Sequence, residues 1–88
     1  MKKQKLRICL PFVEVIHKLD YELQWGSMKT RVLYHDLLDP DTALFLLEND
    51  RILHLKCQGQ DTLLSIIEPD SSHLFLTLTD LLAKHLVG

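Results

Sequence analysis

Glycine, proline and cysteine are scarce in this chain: three, three and two in 88 residues. With glycine only at positions 26, 59 and 88, no glycine-rich loop exists to cradle a phosphate, which argues against a nucleotide site. Two cysteines, Cys9 and Cys57, are too few for a disulfide scaffold and form no CxxC pair. Two packed thiols are the plain reading, with a single bridge between them left open. Long apolar runs are also missing. The run from Ile8 to Val13 ends at Glu14, shorter than a secretory core needs, and no small-residue cleavage site follows. Nothing approaches a membrane span. The expected location is the cytoplasm.

Strong net charge is absent too. Ten basic against twelve acidic residues leave -2, so no global field draws in nucleic acid. The charge is unevenly placed, however. Lys2, Lys3, Lys5 and Arg7 give the first seven residues +4, and the remainder holds six basic and twelve acidic side chains. An acidic body therefore carries a short basic lead.

Apolar residues are plentiful. They make up 47% of the chain, and twenty residues are leucine, which excludes intrinsic disorder. The length allows one domain with a thin margin of core. Residues 1–10 read as a basic lead segment or edge strand, since Leu6, Ile8 and Leu10 alternate with Lys5, Arg7 and Cys9. Residues 11–88 read as a single small domain.

Within it, residues 11–25 read as a helix. Pro11 suits the first helical position. Phe12, Ile16, Leu19 and Leu23 share one face, Glu14 and Lys18 form an i, i+4 pair, and Gly26 supplies a stop. Residues 29–36 read as a strand and 37–41 as a loop or one helical turn.

The stretch DTALFLLENDRILHL (41–55) is ambiguous: Asp39-Pro40 looks like a helix start and Asn49-Asp50 like a hairpin turn. An internal repeat favours the hairpin, with a helix from Pro40 to about Asn49 as the competing reading. Asp41-Thr42 to Glu48 matches Asp61-Thr62 to Glu68 at an offset of twenty. The second copy holds Ile66-Ile67 and is stopped by Pro69, which fits a strand. Both copies are therefore expected to be β-hairpins, 43–48 with 51–57 and 62–67 with 73–78, joined by Gln58-Gly59-Gln60. The tail from Thr79 closes with a short helix striped by Leu78, Leu81, Leu82 and Leu86. The fold class that follows is α+β: an N-terminal helix, an antiparallel meander of about five strands containing the hairpins 43–57 and 62–78, and a short C-terminal helix.

Chemistry-bearing constellations are weak. His17, His35, His54, His73 and His85 stand at least twelve residues apart, and none has a metal-ligand spacing. His54 and Cys57 point to opposite faces of one expected strand. Asp70-Ser71-Ser72-His73 gathers hydrolase residue types, but triads assemble through a fold and this string is an ordinary turn. Neither cysteine has a cationic niche. Leu78-Thr79-Asp80-Leu81-Leu82 fits an LxxLL pattern, which so leucine-rich a chain produces by chance. Neither catalysis, a cofactor nor a small-molecule site is expected.

The informative excess is apolar residues on both faces of the repeats. Ala43, Phe45 and Leu47 oppose Leu44 and Leu46, and Leu63 and Ile67 oppose Leu64 and Ile66. Two short helices cover one face of such a sheet; the other must be covered by a partner or by closure into a barrel. The reading is a non-catalytic protein–protein interaction module, an adaptor, regulator or accessory subunit. It self-associates or docks on a larger protein through Leu44, Leu46, Leu64 and Ile66. The alternative is a nucleic-acid-associated protein whose Lys2, Lys3, Lys5 and Arg7 form a phosphate-contacting arm.

Overall fold

A computed structural model describes residues 1–26 and 28–87; Ser27 and Gly88, the last residue of the expected domain, lie outside them. The chain runs β1 (Lys2–Ile8), α1 (Phe12–Gln24), β2 (Val32–Asp39), β3 (Thr42–Leu47), β4 (Arg51–Gln58), β5 (Asp61–Glu68), α2 (Leu74–Leu81) and a 3-10 turn at Ala83–His85. The five strands form one antiparallel sheet in the order β1-β5-β4-β3-β2. The architecture is α+β, with an N-terminal helix and a short C-terminal one. The sheet is open, with β1 and β2 at its edges, so the second apolar face is not enclosed by a barrel.

Local sequence explains the turns. The β3–β4 connection carries Asn49 at φ 61° and Asp50 at φ 58°, a left-handed conformation that these side chains tolerate. The β4–β5 hairpin turns at Gly59-Gln60 between the paired residues Gln58 and Asp61, with Gly59 at φ 65°. Residues 40–49 are thus turn and strand, and the helical alternative at Pro40 does not form. Strand β2 extends through Leu37, Leu38 and Asp39, which sequence placed in a loop. Only Pro40 and Asp41 separate it from β3.

The second expected hairpin is corrected. Residues 74–81 are helix, and β5 takes β1 as its outer neighbour. Two causes act together. Leu74, Leu78 and Leu82 recur at the helical spacing and bury fully, and the Glu68 side chain captures the first N–H groups of α2.

Both helices lie on one face of the sheet. Phe12, Val15, Leu19 and Leu23 of α1 join Leu74 and Leu78 of α2 and Leu82 just beyond it. Together they cover Leu6 and Ile8 of β1, Leu64 and Ile66 of β5, Leu53 and Leu55 of β4, and Ala43, Phe45 and Leu47 of β3. Each such leucine or isoleucine contributes about 1.5–3 kcal/mol on burial. Gly26 ends α1 at a close approach: a Cβ there would lie 2.9 Å from the Glu22 Cα.

Candidate interaction surface

Strand parity places every side chain of the opposite face. Residue registers align across all five strands into three rungs. The first runs Lys3, Ile67, Ile52, Leu46, Tyr34. The second runs Lys5, Ser65, His54, Leu44, Asp36. The third runs Arg7, Leu63, Lys56, Thr42, Asp39. Among the described residues no helix packs over these side chains; the core residues of both helices meet the other face.

The centre of this face is apolar. Leu44, Leu46, Ile52, Leu63 and Ile67 are half-buried among their neighbours, and Ser65 is buried between them. The ends of the rungs are charged and of opposite sign. Lys3, Lys5 and Arg7 line the β1 edge, all exposed. Tyr34, Asp36 and Asp39 line the β2 edge, also exposed.

Local contacts fix these edge groups. The Tyr34 hydroxyl donates to Asp36 Oδ2 at 3.1 Å, and that hydrogen bond, with the Asp36 charge, raises the Tyr34 pKa. Asp36 Oδ1 also accepts the Leu37 N–H at 2.8 Å. The Asp39 carboxyl is held below its ordinary range, first by hydrogen bonding with the Asp41 side chain, then by the Asp41 N–H and more weakly by Lys56. Arg7 reaches Asp61 of β5 at 3.4 Å.

Of the interface residues expected from sequence, Leu44 and Leu46 lie on this uncovered face. Leu64 and Ile66 do not: both are fully buried beneath the helices. The cause is parity, since a one-residue offset moves a whole strand's side chains to the other face. The β5 residues beside Leu44 and Leu46 are Leu63 and Ile67, joined by Ile52. The signal was present in β4. Leu53 and Leu55 are purely apolar, whereas Ile52, His54 and Lys56 are mixed, so the first set marks the covered face.

The four basic residues also separate. Lys3, Lys5 and Arg7 form one row, but Lys2 pairs across to Glu68 and its Nζ donates to the Ser72 carbonyl at 3.0 Å. They sit on a paired strand, not on a loose arm. The Asp70–His73 string forms the turn into α2: the Ser72 N–H donates to the Pro69 carbonyl at 2.9 Å, and His73 stands at the helix N-cap position. Cys9 and Cys57 are free thiols.

Sequence reasoning also missed the apolar character of the β2 edge. Leu33, Tyr34, Leu37 and Leu38 are each about half exposed. On the helix side of β2, His35 stacks on Phe45 with ring centroids 5.4 Å apart. The two line a shallow groove of about 240 Å³ with Ile16, Leu37, Ala43 and, at the sheet edge, Asp36.

Among the described residues, no helix is long and apolar enough to cross a membrane. No protein-family model, curated protein or solved structure matches the chain.

Proposed function

We propose that this chain is a non-catalytic protein–protein interaction module of the cytoplasm, an adaptor, regulator or accessory subunit whose working surface is the helix-free face of its sheet. The observation that supports this is the contiguous set Leu44, Leu46, Ile52, Leu63 and Ile67 on a face without a covering layer. Antiparallel sheets that face water alternate with polar residues. Here three adjacent strands carry aliphatic side chains outward, the pattern of a surface that another protein covers. Burial of three or four such residues supplies several kcal/mol, enough to drive association.

The second reading, nucleic-acid association, has the row Lys3, Lys5 and Arg7 in its favour. Against it stand Asp36 and Asp39 on the same face and the net charge of -2, both of which repel a phosphate backbone.

The test is site-specific photo-crosslinking in the cells that express the protein, with the photoreactive residue at Leu46 and, as control, at Val13 on the outer side of α1. The expected result is a discrete protein adduct from position 46 and none from position 13. Equal labelling at both positions, or none at position 46, removes the assignment of this face.

A further inference from the structure

The three rungs have a symmetry that selects an occupant. We infer that the partner on the open face is a second copy of this chain, stacked sheet to sheet about a twofold axis that runs parallel to the strands over β4. The inference rests on the open face being a protein-binding surface.

Two twofold arrangements stack this face on itself with the strands of the two copies aligned, and charge separates them. With the axis across the strands, β1 lies over the partner's β1 and β2 over its β2. Lysine then meets lysine or arginine, and Asp36 meets Asp36. With the axis along β4, the sheet order β1-β5-β4-β3-β2 is reversed in the partner, so β1 lies over β2. Each rung then stacks on the same rung of the other copy. Lys3 faces Tyr34, Lys5 faces Asp36, and Arg7, which already lies 3.4 Å from Asp61 of its own sheet, faces Asp39; each pairing occurs twice because the contact is isologous. Inside this charged frame, Ile67, Ser65 and Leu63 of β5 face Leu46, Leu44 and Thr42 of β3 in turn. Ile52 and His54 meet their own copies on the axis. Lys56 also meets its copy, on the outermost of the three rungs, where this exposed side chain can lie along the sheet while its ammonium reaches water.

The dimensions fit an association of this kind. Five strands at ~4.8 Å spacing and seven residues at ~3.3 Å rise give a face of roughly 24 by 23 Å, so two copies bury about 1,100 Å² in total. That clears the roughly 1,000 Å² expected of a specific interface and lies at its lower end. Sheets stacked this way sit about 10 Å apart with strands offset by about 30°, within the reach of a lysine or arginine side chain to a carboxylate on the facing sheet. Opposite charges at the rim also steer the two copies into register.

The experiment is light scattering after gel filtration over a range of concentrations at low salt, with circular dichroism to verify each fold. The parent chain should reach twice its 10.2 kDa mass. Leu44→Asp should be a folded monomer. Lys5→Glu, an exposed edge residue whose change leaves the core alone, should weaken the dimer about ten-fold, because it turns two attractions into two repulsions. Adding Asp36→Lys to Lys5→Glu should restore it. A dimer indifferent to Lys5→Glu overturns the axis. A monomeric parent at all concentrations overturns the second copy but not the face, whose adduct from position 46 would then have a mass other than twice the chain. A dimer that survives Leu44→Asp overturns both.

Discussion

Glu68 at the end of β5 accepts the backbone N–H of Leu74 at 2.8 Å, and its other oxygen accepts that of Phe75 at 2.9 Å. One carboxylate from a strand thus caps a helix six residues on. The side chain is fully buried, so removing it takes the partner from two N–H groups, one buried at Leu74 and one part-buried at Phe75. Glu68→Ala should cost about 3 kcal/mol of stability in denaturant unfolding, and Glu68→Gln about half as much because it keeps one acceptor. A loss below about 0.5 kcal/mol for Glu68→Ala would show that α2 forms without this cap.

The same contact sets an acid limit. Burial pushes the Glu68 carboxyl up, but the Ser72 hydroxyl, the Phe75 and Leu74 N–H groups and the Lys2 ammonium outweigh it and hold the pKa below the ordinary value. A carboxyl depressed in the fold binds fewer protons there than in the unfolded chain. Its contribution is therefore complete above the ordinary glutamate value near ~4.3 and is lost as pH falls through the folded value. The stability gap between parent and Glu68→Gln should be constant near neutrality and narrow below about pH 4. A gap that persists unchanged into stronger acid would contradict this assignment.

Gly59 turns the β4–β5 hairpin at φ 65° with open space where a Cβ would sit, nothing lying within 4 Å of it. Any penalty for a side chain there is conformational and not steric. Gly59→Ala should cost about 1 kcal/mol, and Gly59→Asn distinctly less, because asparagine tolerates the left-handed region. Equal losses for both, read from thermal unfolding, would point to a contact and not to the backbone.

Much of this fold is legible in local pattern. Phe12, Leu19 and Leu23 announce α1, and the offset repeat at Asp41-Thr42 and Asp61-Thr62 announces β3 and β5. What local pattern misses is long-range. Residues 73–78 alternate well enough to pass for a strand, and two distant contacts oppose that. Glu68 captures the start of α2, and β1, sixty residues away in sequence, occupies the free edge of β5. The candidate surface was half legible for a related reason. Each strand's two faces were separable, but which face the helices cover is a tertiary fact. The two-residue turn at Gly59-Gln60 pairs Leu55 with Leu64, so the purely apolar face of β4 already marked Leu64 as core.

The basic row on β1 makes a separate forecast. Three phosphate contacts would give a salt dependence of slope near -3 in log–log form, and Asp36 and Asp39 share the face. Fluorescence anisotropy with a short labelled duplex should therefore show no binding at about 150 mM salt. Tight binding there, lost in a Lys3→Glu, Lys5→Glu chain, would favour the nucleic-acid reading over the protein-binding one.

Leu64 and Leu44 give the sharpest contrast between the two faces. Both were candidates for one surface, yet Leu64 is fully buried under the helices while Leu44 is half-buried on the open side. Leu64→Ala deletes core volume and should cost about 2–5 kcal/mol. Leu44→Ala removes no packed helix contact and should cost less than about 1 kcal/mol in dilute solution, while reducing association. Stability and association are therefore expected to dissociate at these two positions. If Leu44→Ala proved the more destabilising in the dilute monomer, a covering layer on the open face would have to come from the chain itself, and the face would no longer be available to a partner.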